Sequence, residues 1–464
     1  MSLELLKQEF EHVLQSDDPQ ALHQFLDQQN ITEIADLVYE EPERGSDIIS
    51  AMSVHRASGV FRILEFSLQR RIIEELSPSK VAELLNELPP DDRTSFLEDL
   101  PSNVVRELIK QLNPEERKVT LSLLGYPENS VGRLMTPDYV YVYEDNTVSE
   151  VIEVIRRVGK STETIDVIYV INDKGELLDD IRIREFIIAD PYSRVSELMD
   201  DRVIALNAYQ DQEEAAEAFK MNNRVALPVV SNSNKLLGIV TIDDILWVAS
   251  EEFSEDIQKI GGTEALEEPY LEMPLVRLVR KRAGWLVVLF FGELLTASAM
   301  AYFNDELGKA LVLAQFIPLI ISSGGNSGSQ ASTLIIQALA MGEVYLSDWW
   351  RIMRREILSG LLLGSILGFI GFIRIIAWHH MMERGWIKDL YGPHYMAVGV
   401  TIGFTVLGVV LWGTLTGSML PLVLKRLGAD PAVSSAPFVA TLVDVTGLII
   451  YFSVAYLVLS GTLL

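Results

Sequence analysis

Residues 315–337 read Gln315-Phe316-Ile317-Pro318-Leu319-Ile320-Ile321-Ser322-Ser323-Gly324-Gly325-Asn326-Ser327-Gly328-Ser329-Gln330-Ala331-Ser332-Thr333-Leu334-Ile335-Ile336-Gln337. An apolar approach meets a run of small polar residues, and apolar residues follow. The run falls in the middle of a hydrophobic span. Backbone N–H and C=O groups at membrane depth all need partners, so a glycine-rich break in a helix is expected there only where the chain lines a watery cavity or is buried in protein. The stretch is therefore a candidate ion pathway. Close packing of helices through small residues is the competing reading. A phosphate loop is excluded, because the run lacks a Gly-Lys-Ser/Thr ending and a preceding strand.

Outward from this stretch, the composition divides the chain. It has 464 residues, 49% of them hydrophobic, and a mean hydropathy of +0.22, so part of it is expected in a membrane. Residues 1–280 carry 55 of the 65 acidic side chains and a net charge of −28, while the remainder is nearly neutral. Such an acidic body argues against a nucleic-acid partner and fits solvation or cation binding. The absence of cysteine excludes disulfides and thiolate metal sites. The start Met1-Ser2-Leu3-Glu4 has no basic region followed by an apolar run, so the amino end is expected to stay in the cytoplasm.

Residues 1–130 have apolar spacing of three and four, which predicts helices. Leu76, Leu88, Leu100 and Leu112 recur every twelve residues, each followed by Ser77-Pro78, Pro89-Pro90, Pro101 or Asn113-Pro114. Proline suits a first helical turn, and Ser or Asn before it is a candidate cap. This predicts an N-terminal α-superhelix of the scaffold or docking kind. Residues 131–249 instead alternate β-branched runs with helical stretches, in two similar halves. Leu134-Met135-Thr136-Pro137 and the turn Asn172-Asp173-Lys174-Gly175 mark the first. Leu198-Met199-Asp200-Asp201, the run Val225 to Val230 and the turn Ser231-Asn232-Ser233-Asn234 mark the second. The segment resembles a tandem pair of α/β CBS domains. That resemblance implies ribose contacts at Thr241 and Asp244, where a helix cap is the alternative reading. The first half has Asp180-Ile181-Arg182-Ile183-Arg184-Glu185 at the matching place, a departure from the pattern.

Residues 250–282 form an acidic connector ending in Arg277, Arg280, Lys281 and Arg282. Residues 283–464 hold five apolar spans, about 283–303, 309–341, 355–378, 395–424 and 433–462, most of them longer than the ~20 residues that cross a bilayer. With the amino end inside, the inner flanks carry Arg277, Arg280, Lys281, Arg282, Arg351, Arg354, Arg355, Lys425 and Arg426. The outer flanks carry Lys309, Arg384 and Lys388. This bias predicts an inner-membrane, multi-pass protein with its carboxyl end outside.

Two carboxylates, Glu293 and Asp444, lie inside spans, where a charge costs ~3 kcal/mol or more unless it meets water or a partner. Asp444 stands in Ala440-Thr441-Leu442-Val443-Asp444-Val445-Thr446-Gly447, and no span Lys or Arg is its evident mate. A cation is the expected partner. Oxygen ligands without Cys or His suit Mg²⁺ or Ca²⁺, and Mg²⁺ is commonly held through its hydration shell by one or two carboxylates. Glu293 has a helix-to-helix hydrogen bond as its competing role. No nucleophile–base set is present, so no enzyme is expected.

Taken together, the helical superhelix, CBS pair, acidic connector and five spans resemble the MgtE family of magnesium channels, on the motifs Pro318, Gly324 to Gln330 and Ala440 to Gly447. The resemblance implies a homodimer in the bilayer with one Mg²⁺ pore on its axis. Asp444, the Ala440 carbonyl, Gly325, Asn326, Gly328 and Glu293 are the pore candidates. It also implies that the connector forms a plug helix. Cytosolic Mg²⁺ would hold the plug shut through Asp243, Asp244, Glu255, Asp256, Glu264 and Glu267, and ATP is a candidate ligand of the CBS pair. Two departures stand out: Ala436-Pro437 where relatives can carry Asn-Pro, and Ser231 to Asn234 in place of an acidic turn. The alternatives are a membrane-anchored adenine-nucleotide sensor and a transporter for Mn²⁺ or Co²⁺. Five spans do not divide into the inverted halves of a secondary transporter.

Overall fold

The computed structural model describes residues 3–15, 18–266, 270–271, 273–304, 311–388 and 390–463. Two compact units divide it, residues 1–252 and 253–464.

The first unit opens with short helices, from Leu3–Gln15 to Pro114–Leu123, most of them packed on the next but one: Ile31–Glu40 meets Val54–Phe61, which meets Pro78–Glu87. Leu76, Leu88, Leu100 and Leu112 are all buried in one continuous core. The twelve-residue repeat is thus one helix plus its turn. Proline occupies the first turn of Pro78–Glu87, Pro90–Glu98 and Pro114–Leu123. The expected side-chain caps do not form: neither Ser77 nor Asn113 bonds through its side chain at its helix start. Proline at N1 lacks one of the N–H groups a cap would satisfy, and the Asn113 backbone N–H instead donates to Asn86 Oδ1 at 2.7 Å.

Two three-stranded sheets follow, β1 (Tyr141–Tyr143), β2 (Val167–Ile171), β3 (Leu177–Arg182) and β4 (Leu206–Asn207), β5 (Ala226–Val230), β6 (Leu236–Thr241). In each, the first strand is parallel to the second and the second antiparallel to the third. Tyr169, Ile171 and Leu177 of one sheet share a buried cluster with Ala226, Val230 and Ile239 of the other. Both middle strands are buried along their whole length, as strands covered on two faces must be. β6 runs directly into the helix Ile242–Ile260.

Among the described residues the second unit has five long helices: Leu275–Tyr302, Ile317–Ala340, Trp349–Glu383, Tyr395–Arg426 and Ala436–Leu459. The first, third, fourth and fifth are long and apolar enough to cross a membrane. The second is a single helix from Ile317 to Ala340, so its glycine run does not break it. The run also packs the helix closely against its neighbour. A Cβ added at Gly413 of the fourth helix would stand 2.5 Å from the Gly324 carbonyl oxygen, and one at Gly417 would stand 2.1 Å from that of Gly328. Helices this near tolerate only hydrogen at the crossing.

Candidate functional site

Asp444 lies two turns into the fifth long helix and is half-buried. Its surroundings follow from the glycines of the second helix. A Cβ at Gly325 would stand 3.4 Å from Ala440 Cβ and 3.6 Å from Asp444 Oδ1, so hydrogen at this position lets the helix lie against the carboxylate. Gly328 serves the same approach against Val439 and Gly413, at 2.9 and 3.1 Å. Ser329 Oγ donates to the Ala436 carbonyl at 2.9 Å, and Ser332 Oγ to that of Ser434 at 2.8 Å. On the other side Gly292 of the first helix meets Thr441, which sets Glu293, the next residue of that helix, near Asp444.

The structure therefore brings together Asp444, Ala440, Gly325, Gly328 and Glu293. The charged neighbour of Asp444 is a second acid, and a cation relieves the repulsion of two like charges held close together. Arg374, a basic residue inside the third span, is occupied elsewhere, 6.0 Å over the Phe316 ring and 5.7 Å over that of Trp378. Asn326 is exposed on the outer face of the second helix, bonding Ser322 Oγ at 3.2 Å. With Ser322, Gln330 and Gln337 it forms an exposed polar stripe at helical spacing.

A second acidic site lies in the first unit, and most of it escaped the sequence. Thr241 Oγ1 donates to both Asp243 and Asp244. Asp243 pairs with Arg62 at 3.1 Å, and the same guanidinium reaches Asp92 at 3.1 Å and Glu163 at 3.8 Å. Asp91 is buried beside them with Oδ1 unpartnered. Burial and repulsion from Asp243 push the Asp244 carboxyl up to about 7. Burial pushes Asp92 up to about 6, against the pull of Arg62, and raises Asp91 and Glu163. The seam holds five acids around one arginine. Local signals pointed to Asp243 and Asp244 alone. Arg62, Asp91, Asp92 and Glu163 come from distant segments, and only Asp91-Asp92 at a proline-led helix start gave any hint.

The connector candidates separate. Glu255 pairs with Lys259, which also reaches Asp430 at 2.7 Å. Asp256 follows on the same helix. Eleven residues, about 16 Å of helix, separate Asp244 from Glu255, so within one chain they cannot hold one ion. Glu264 lies past the helix end, its backbone N–H donating to the Lys281 carbonyl at 3.3 Å. Glu267 lies outside the described residues, as does Lys309. Among the described residues no three His, Asp or Glu side chains converge to hold a bare metal ion.

A membrane unit with an acid pair against a glycine-packed helix, joined to a CBS pair, defines a polytopic cation transporter, and the comparisons agree. Residues 317–454 match the MgtE divalent cation transporter family, residues 29–129 the MgtE intracellular N domain, and residues 131–191 and 195–251 the CBS domain. The magnesium transporter MgtE of Thermus thermophilus is 39% identical over 73% of this chain and 72% of its own length. That of Bacillus subtilis is 30% identical over 91% and 90%. The chain belongs to the MgtE family of magnesium transporters. The solved cytosolic domain of the Mg²⁺ channel MgtE in complex with ATP matches 52% of this chain and 99% of its own, at 33% identity and a TM-score of 0.50.

Proposed function

We propose that this transporter admits Mg²⁺ to the cell passively, through a pore on the axis of a homodimer lined by the second and fifth long helices. The observation that carries this reading is Asp444, whose carboxyl lies against Gly325 with a second acid, Glu293, nearby. A hydrated dication supplies the missing charge, with the Ala440 carbonyl receiving its waters. The polar stripe through Asn326 supports the dimer, since a second copy covers it better than lipid does. The excess of Lys and Arg at one end of the spans supports an amino end inside and a carboxyl end outside.

Closure by cytosolic Mg²⁺ draws support from the acidic seam. Five carboxylates against one guanidinium leave excess negative charge that a dication relieves, and the connector acids Glu255, Asp256, Glu264 and Glu267 are proposed as further Mg²⁺ contacts. ATP is proposed at the CBS pair through Thr241 and Asp244, a turn that in this conformation bonds within itself and toward Arg62. Titration calorimetry of the full chain with ATP decides this: no heat reduces both residues to the acidic seam.

The test of the pore is Mg²⁺ uptake into liposomes holding the purified protein, with Mn²⁺ and Co²⁺ as competitors. Asp444→Ala is expected to abolish uptake while the protein still elutes as a dimer. Normal uptake by this variant would sink the assignment, and uptake of Mn²⁺ or Co²⁺ at the Mg²⁺ rate would sink the selectivity.

A further inference from the structure

Basic side chains gather at one end of the membrane unit. Arg351, Arg354 and Arg355 are exposed near the start of the third long helix, as are Lys425 and Arg426 at the end of the fourth. One small apolar cluster sets them at a common level: Ile335 and Leu339 of the second helix are buried with Ile352 of the third and Leu422 of the fourth. The arginines flank Ile352, and Lys425 follows Leu422 within one turn. None of the five cations is in an ion pair among the described residues, unlike Lys259, which pairs with Glu255 and Asp430. Of the acids nearby in sequence, Asp348 accepts from the Tyr345 backbone N–H at 3.1 Å, and Glu356, beside Arg355, offsets one charge of the five.

Depth places this cluster in the headgroup layer. The third helix has 35 residues, a rise of about 52 Å against a hydrocarbon thickness of about 30 Å. Its charge-free run, residues 357–373, takes up the hydrocarbon, and the turns before it project beyond. Trp349 and Trp350 stand there 50% and 53% exposed with ring centroids 5.6 Å apart, as indoles do at a membrane interface. We propose that this end of the unit is a binding site for anionic phospholipid headgroups. The guanidinium groups of Arg351, Arg354 and Arg355 take the phosphate in bidentate hydrogen bonds, and Lys425 and Arg426 add charge. A zwitterionic headgroup carries its own cation and gains less.

The test uses the full-length protein in mild detergent with an equimolar mixture of phosphatidylglycerol and phosphatidylcholine, and native mass spectrometry reads the retained lipid. The wild type is expected to favour phosphatidylglycerol, with each effective cation contributing about five-fold. R351Q/R354Q/R355Q is expected to bring the ratio near one and K425Q/R426Q to an intermediate value, while R351K/R354K/R355K keeps most of the preference. Equal retention of both lipids by the wild type, or an unchanged ratio in both glutamine variants, overturns the proposal. Displacement of the lipid by millimolar inorganic phosphate also overturns it, by showing a site for free anions.

Discussion

Arg62 and Asp444 are mirror images: a cation ringed by acids, and an acid whose neighbour is another acid. Asp444→Asn keeps the size and removes the charge, so liposome uptake of Mg²⁺ should fall nearly as far as with alanine. If uptake survives, attraction of a dication is not the role of this residue. Arg62→Gln strips the seam of its only guanidinium and leaves Asp92, Glu163 and Asp243 facing one another. The expected loss is about 1–3 kcal/mol, less than for a fully buried pair because these side chains are partly solvated. Thermal unfolding of the full chain checks it, and millimolar Mg²⁺ should restore more stability to this variant than to the wild type. Asp444 was legible in the sequence because a charge inside an apolar span is a local signal. Arg62 was not, because 181 residues separate it from Asp243 and no local pattern records such a contact.

Packing of the long helices is decided by glycines that meet backbone. Gly417→Ala would place a methyl 2.1 Å from the Gly328 carbonyl, which cannot swing aside as a side chain can. This substitution should lower the unfolding temperature and cost about 1–3 kcal/mol. Gly371→Ala meets only Ile402 Cγ2 at 3.4 Å and is the control expected to unfold like the wild type. Equal melting of the two variants would mean that the helices do not depend on this crossing. The same glycines explain the misread helix. Gly324-Gly325-Asn326-Ser327-Gly328 has the composition of a break as well as that of a contact surface. What separates the two is the presence of Gly413 and Gly417 on another helix. The superhelix was easier to foresee, since each turn of Leu76, Leu88, Leu100 and Leu112 is marked beside the helix it ends.

The acidic first unit as a whole should respond to pH in a defined direction. Asp244 and Asp92 sit near 7 and 6 in the closed seam, above the ordinary carboxylate value. Closed seam therefore binds protons that an opened one releases, and it gains stability as pH falls through 7 and 6 and loses it as pH rises. Hydrogen exchange of the full chain without Mg²⁺ should show residues 89–94 and 241–245 better protected at pH 5.5 than at pH 8. Asp244→Asn should flatten that difference, and protection independent of pH would refute the account. The order of superhelix, CBS pair and spans was readable because each changes the hydrophobic period, from three and four to alternation to unbroken runs.

One rod joins these parts. The helix Ile242–Ile260 starts at the last strand of the CBS pair and contains neither glycine nor proline, so its length is stiff. From Asp243 to Lys259 it is a lever arm of about 24 Å. A tilt of about five degrees at one end of such an arm sweeps the other end through about 2 Å. Leverage of this kind fails if the arm can bend, so Ala249→Gly with Ser250→Gly should leave the acidic seam's own protection by Mg²⁺ intact while uncoupling it from uptake.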